Sequence, residues 1–408
     1  MGGSGEERAA LVDVEEARTI GWALWRVRDA RGKSLRVVAG LAGMSKDTLQ
    51  RIETGERSPT LAELAALADA LQISVSELTR LPVPAPANGH TDSTIAAVDL
   101  ALMAVSHDLP DGQVLPVEDL RARVTAMVDA LCRCEQEREV GAALPGLIRD
   151  LHASVAAGRD VAELLGLSVW LHTQATVPWL SVSGASADLR WQAVMLAWQD
   201  AHTHGAAVPR GLVAAAGARV ALAKGAFGIA QARLDAVTVP TNTPESMQLA
   251  GFLALRRSDV AAADRRIGDV DAPLDYAAEL AARTGEGNAY GLGFGPINID
   301  LYRISGLLKV GDHERVVSIA EGMNPQAHVN RSRRVAYWAD YGQALARLRG
   351  RHDDAVMALR RAELISPHHI QRNPIVRDVL AVLLRHSRRG SPADQELRGM
   401  ARRAGLLV

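Results

Sequence analysis

The sequence predicts an all-α protein: a five-helix domain at the amino terminus, a linker, and a long superhelix of stacked helix pairs. Three observations carry this expectation. Ala, Leu and Val dominate, and hydrophobic residues make up 48% of the chain while aromatics make up 4%. Such a composition suits helices packed through small side chains better than sheets. Helix start and stop signals recur at short intervals, and no sustained alternation of apolar and polar residues marks a strand. With 408 residues, the chain is long enough for two or three domains and a sizeable core.

Taken in order, residues 1–16 ("MGGSGEERAALVDVEE") are acidic and read as a flexible start, without the pattern of a secretory signal. A domain is expected over residues 17–80. Its first helix spans about Thr19 to Ala30, and its second begins at Ser34 and ends near Ala42. Gly43 supplies a turn where positive φ is cheap. Ser45 is the N-cap expected for the third helix, "KDTLQRIE", and Gly55 ends it. Thr60 with Glu63, and Ser74 with Glu77, form two capping boxes that open the fourth and fifth helices.

The short "GMS" joint between the second and third helices predicts a steep crossing, the helix-turn-helix geometry. On the third helix Leu49 and Ile52 face the core. Lys46, Asp47, Gln50 and Arg51 face outward together, with residue types suited to base edges. Residues 81–94 begin "LPVPAPANGHTDS" and read as a semi-rigid linker.

Residues 95–408 fit helical periodicity with short breaks. Recurring turns are expected at Gly225, Ser258, Gly311 and Gly350, with spacings of 33, 53 and 39 residues. These bracket the 34-residue tetratricopeptide period loosely. The last unit is the clearest, with Gly350, Ala355, Leu359, Ala362 and Pro367 in place. Its first helix departs, lacking a small residue at the usual close-contact site near Gln343. A degenerate tetratricopeptide-like superhelix is expected, in which each helix pair stacks on the next to bury its apolar face.

The stretch "LRVVAGLAGMSKDTLQRIETGERSPTLAELAALADALQISVSEL" closely resembles the Xre/Cro-like family of five-helix repressor domains. The resemblance rests on Ala39, the Gly43 turn, "LQRIETG", "SPT" and "ALQISVSEL". It implies a structural ion pair between Arg28 and Glu53 and a phosphate contact by Arg57. Thr48 and the helix start near Ser45 are further phosphate contacts. Leu35 stands where the family often has glutamine, and Arg36 is the substitute phosphate ligand. The carboxy-terminal third, including "FGPINIDLYRI" and "KVGDHERVVSIAE", resembles large regulators of high-GC bacteria that join the two kinds of domain. That resemblance implies a one-component transcription factor.

The formal net charge is −1, so any DNA contact must be local. No transmembrane run or leader is seen, and a soluble, cytoplasmic, homodimeric protein is expected. Neither cofactor nor metal site is expected. His202 and His204 are poorly placed to share an ion, and His368 and His369 are expected in a solvated turn. Cys132 and Cys134 point to different sides of a helix and are expected inert. The Gly-rich run from Gly285 to Gly295 reads as a loop between helices, not a phosphate loop.

Ligand binding is more plausible than catalysis. Pro296 should open a helix with Ile297, Leu301, Ile304 and Leu308 as its core stripe. Asn298, Tyr302 and Ser305 form a second stripe. With Arg334, Tyr337, Trp338 and Tyr341 on a later helix, Asn298 and Tyr302 are the residues expected to hold a peptide or small-molecule effector. The expected function is sequence-specific binding of a double-stranded operator, governed by that effector. The alternative is an adaptor whose superhelix binds a partner protein, with DNA binding secondary.

Overall fold

The computed structural model describes residues 20–21, 23–25, 27–29, 33–71, 73, 89–135, 137–387 and 390–406. Residues 1–16, the second capping box at Ser74 and Glu77, and the linker up to residue 88 lie outside them. The elements among the described residues are all helices, with one isolated bridge between Gly287 and Phe294. None of the described helices is long and apolar enough to cross a membrane.

In the amino-terminal domain α1 is seen at residues 20–21, 23–25 and 27–29. It is followed by α2 (Leu35–Leu41), α3 (Lys46–Glu53) and α4 (Leu61–Ala70). Ser34 and Ser45 cap α2 and α3 by accepting from Val37 N and Thr48 N, and Thr60 with Glu63 forms a full capping box on α4. Gly43 and Gly55 adopt φ of 67° and 74°, which a side chain would strain. Leu24, Val38, Leu49, Ile52, Leu67 and Leu71 are fully buried and form the core. Each contributes about 1.5–3 kcal/mol by leaving water. Gly21 sets how closely α1 approaches α3, because a Cβ there would fall 2.1 Å from the Ile52 carbonyl oxygen.

The chain continues as α5 (Gly89–Ser106), α6 (Val117–Arg133), α7 (Glu137–Ala156), α8 (Val161–Leu171) and α9 (Val177–Val182). Next come α10 (Ala187–His204), α11 (Ala207–Ala223), α12 (Phe227–Asp235), α13 (Pro244–Ala263) and α14 (Asp271–Thr284). It closes with α15 (Pro296–Val310), α16 (His313–Glu321), α17 (Arg331–Leu345), α18 (His352–Ile365), α19 (Pro367–Arg372), α20 (Pro374–His386) and α21 (Pro392–Arg403). α5 therefore starts within the stretch expected to be linker.

Neighbours in sequence pack as pairs, including α11 with α12, α13 with α14 and α17 with α18. The first helices of successive pairs also pack, α11 on α13, α13 on α15 and α15 on α17, which is how stacked pairs hide their apolar faces. Two cores result, one running from Val98 to Tyr302 and the other from Leu301 to Ala404. α15 feeds both.

Gly225, Gly311 and Gly350 turn the chain at φ of 73°, 83° and 80°. Ser258 does not: it is buried inside α13, and the break falls at Arg265, with φ of 63°. A serine carries no helix-stopping signal of its own, and the helix continues through it to Ala263. The last pair does have its small contact residue, one position from where it was sought. A Cβ on Gly342 would stand 2.9 Å from the Leu359 side chain and 3.3 Å from the Ala355 carbonyl oxygen.

Between α8 and α9 the helix widens into a π turn, His172–Thr176. Pro178 follows directly, and its missing N–H removes one i→i−4 bond from this turn.

Candidate functional site

The first candidate surface is on α3. Leu49 and Ile52 are fully buried beneath it. Lys46, Asp47, Gln50 and Arg51 are all exposed, as is Arg36 on α2. Thr48 is half-buried, and its hydroxyl lies 2.8 Å from that of Ser45. Arg28 Nε and Nη2 donate to the two oxygens of Glu53 at 2.7 and 2.8 Å, a fork that ties α1 to the end of α3. The Glu53 partnership raises the already high pKa of Arg28.

Arg57 lies in the loop after α3, where Nη2 donates to Glu63 at 2.9 and 3.1 Å. The same carboxylate caps α4, and the Thr60 amide, ahead of Arg57, holds its pKa below the usual range. Arg57 would therefore reach a phosphate by sharing or leaving this carboxylate. Glu56, which had no role at the sequence level, stands 3.9 Å from Arg51, with both side chains exposed.

The expected ligand residues divide between two places. Asn298 and Tyr302 are buried, Asn298 completely, while Ile297 and Leu308 of the expected core stripe are only half-buried. The second stripe of α15 is thus interior, because α13 and α17 both pack on this helix. Neither amide atom of Asn298 has a hydrogen-bond partner among the described residues. Tyr337 is also buried and donates its hydroxyl proton to the Ala320 carbonyl at 2.8 Å. Tyr341 bonds Glu321 at 3.2 Å, Arg334 donates to the His328 carbonyl, and Trp338 lies under Arg361. Arg334, Tyr337, Trp338 and Tyr341 thus knit α17 to its neighbours.

A large open pocket lies elsewhere. A cavity of about 940 Å³ opens between α6–α11 on one side and α17–α20 on the other. None of the six expected ligand residues lines it. Its walls include Gln174 from the π turn, Arg190 of α10, Arg219 of α11, Arg333 of α17, and Cys132 and Cys134. The volume falls within the range of small-molecule sites. Sequence reasoning missed this wall because its members come from distant helices.

The cavity is cationic. Arg190 Nη1 and Arg219 Nη2 converge on the Ser181 hydroxyl at 3.5 and 3.4 Å. Arg333 lies over the rings of Phe252 and Tyr302, at 5.5 and 5.9 Å. Burial, reinforced by Arg256, Arg190 and Arg333, pulls Arg219 down to about 9. Burial lowers Arg190 and Arg333 as well. The thiols are weak acids here, because burial raises Cys132 and pushes Cys134 up to about 12. Both are free and half-buried.

His369 also lines the cavity, and His368 contacts the Ser183 hydroxyl at 3.3 Å. The pair is not solvated as expected: burial lowers both to about 4. The short helix α19 folds them inward against α9. By contrast, His202 is exposed at the end of α10, stacked on Trp198.

A separate buried group joins His152, His172 and Asp200, whose ligand atoms lie within 4.8 Å of one another. These atoms already bond among themselves: His152 Nε2 to His172 Nε2 at 3.0 Å, and the Ser168 hydroxyl to Asp200 at 2.5 Å. Burial lowers His152 to about 4, lowers His172 well below its usual value and raises Asp200 to about 6, so both imidazoles are neutral near pH 7.

The Gly-rich run is a tied-down loop. Asn288 Oδ1 accepts from Gly293 N at 2.9 Å, Glu286 Oε1 accepts from Ile297 N at 2.7 Å, and Trp170 donates to the Tyr290 carbonyl.

Residues 19–81 match the family described as a helix-turn-helix domain. No curated protein matches the chain. Among solved structures, the apo form of the competence regulator ComR from Streptococcus vestibularis aligns over 96% of this chain and 99% of its own. The identity is 14% and the TM-score 0.22. The PrgX/cCF10 complex aligns over 85% of this chain and 93% of its own, at 10% identity and a TM-score of 0.24.

Proposed function

We propose that this chain is a sequence-specific DNA-binding transcriptional regulator whose helical domain senses an effector in the central cavity. The observation that carries the reading is the outward face of α3 in a helix-turn-helix domain. Lys46, Asp47, Gln50 and Arg51 are exposed together above a sealed Leu49–Ile52 seam. Arg and Lys suit guanine, Gln suits adenine, and Asp accepts from cytosine. Phosphate contacts come from Arg36, Thr48, the amino end of α3 at Ser45, and Arg57.

One small domain binds weakly, so the working form is a homodimer on two half-sites about one helical turn apart. The cavity lies between helices of the two cores, so an occupant would fix their relative placement. An effector acts by favouring one spacing of the two DNA heads over another. The test is a gel shift of the full chain on the DNA upstream of its own coding region, across a salt series. A specific, salt-sensitive complex is expected. A protein that binds no duplex better than random sequence, yet captures a protein partner through residues 95–408, would support the adaptor reading instead.

A further inference from the structure

We propose that the central cavity takes an oxyanion, a carboxylate or phosphate group on an otherwise uncharged ligand body, held by Arg190, Arg219 and Arg333. This rests on reading the cavity as the effector site, and adds the ligand's chemical class.

The argument is one of missing countercharge. Elsewhere in the helical domain two buried acids hold bases: Glu363 pairs with Arg403 and Arg360, and Asp259 with Arg256 and Lys309. Among the described residues, no carboxylate lies within ion-pair distance of Arg190, Arg219 or Arg333, and Asp340, the acid that feels the charge of Arg333, is itself pushed up to about 7 by burial. Their nearest polar partners are neutral. Ser181 takes one long bond each from Arg190 and Arg219, and the Ser186 carbonyl accepts from Arg190 Nε at 3.3 Å. Each guanidinium carries five N–H donors, so most donors remain available.

A buried, uncompensated cation is costly, and several that repel one another are more so. Such an arrangement is retained where a ligand supplies the opposite charge, and planar guanidinium forks suit carboxylate and phosphate oxygens. Of the two acids on the wall, Asp378 acts on Arg377, and Glu137 does not neutralise the three arginines. It accepts from the Ser366 hydroxyl at 2.7 Å, and burial raises its pKa toward the neutral form. The rest of the wall is largely small or apolar, including Leu131, Pro178, Val182, Ala223, Ala336 and Ile375, and would receive an uncharged ligand body.

The experiment uses inorganic phosphate as the probe, against chloride at matched ionic strength, with thermal unfolding of the full chain as readout. Phosphate should raise the wild-type midpoint, and its apparent affinity should fall at least tenfold in Arg219→Met and in Arg333→Met. In chloride alone these variants should be no less stable than wild type, because each removes a repelling charge. Arg333→Lys keeps the charge and should keep part of the phosphate response, which serves should a Met variant not fold. Arg36→Ala with Arg57→Ala, at the phosphate contacts of the amino-terminal domain, should leave the response unchanged.

Phosphate that stabilises wild type and cavity variants equally, or not at all, overturns the proposal. So does a response that disappears with the Arg36 and Arg57 variants, since it would place the anion on the DNA-reading head. DNA binding measured separately in chloride keeps the two readings distinguishable. A cavity that binds phosphate in a protein that ignores DNA would sink the regulator reading and leave the anion site standing.

Discussion

At the scale of single residues, the α3 surface separates side chains that read from side chains that hold. Arg28 and Glu53 hold. Both side chains are largely buried, so Arg28→Met leaves Glu53 without its partner and should cost about 3–5 kcal/mol in the amino-terminal domain. Hydrogen exchange of the α3 amides would register it, and Glu53→Leu added to Arg28→Met should recover much of the loss. An unchanged exchange profile would show the pair to be ornamental. Arg51 reads: Arg51→Ala should relax preference at its base position by about 1–3 kcal/mol, measured by affinity on single-base operator variants. Arg57→Ala should weaken binding to every sequence and lower the salt slope by about one. Its Glu63 partner makes the grip of Arg57 smaller than that of a free arginine. The stretch from Gly43 to Thr60 was legible in the sequence because caps, glycines and side-chain roles all sit within a few residues of one another.

At the scale of elements, close helix approach decides what can be read from sequence. Gly342 sits where α17 meets α18, 2.9 Å from the Leu359 side chain through a Cβ it lacks. Gly342→Val should destabilise the helical domain by about 1–3 kcal/mol through overpacking, seen as a lower unfolding midpoint. A neutral result would mean that α18 is free to slide. The repeat pattern marked this region but missed Gly342 by one position and put a turn at Ser258 inside α13. Periodicity locates an apolar face well. It says little about where a helix stops when the stop is an arginine at positive φ, as at Arg265. α15 shows the same limit, since Asn298 and Tyr302 look like an open stripe until the helices on both sides of α15 are known.

At the scale of the molecule, the cavity was invisible to sequence because Arg190, Arg219 and Arg333 are far apart in the chain and meet only through stacking. The same stacking buries histidines. His152, His328, His368 and His369 are lowered to about 4, and His172 is lowered well below its usual value, burial being the first cause in each. Below about pH 6.5 the unfolded chain takes up protons that these folded groups refuse, so stability is lost as pH falls toward 4. Asp200, raised to about 6, Asp340, raised to about 7, and Glu137 and Glu286, also raised, act with the opposite sign but are fewer. The unfolding midpoint should therefore drop between pH 7 and pH 5, and a flat or rising midpoint would contradict this burial pattern.

The central claim is that α3 selects DNA sequence, and its most direct measurement is affinity selection of random duplexes by the full chain. The account predicts an enriched motif of two half-sites about one helical turn apart. Arg51→Ala should lose preference at one position in each half-site. Selection that enriches nothing, or a motif indifferent to Lys46, Gln50 and Arg51, would contradict it.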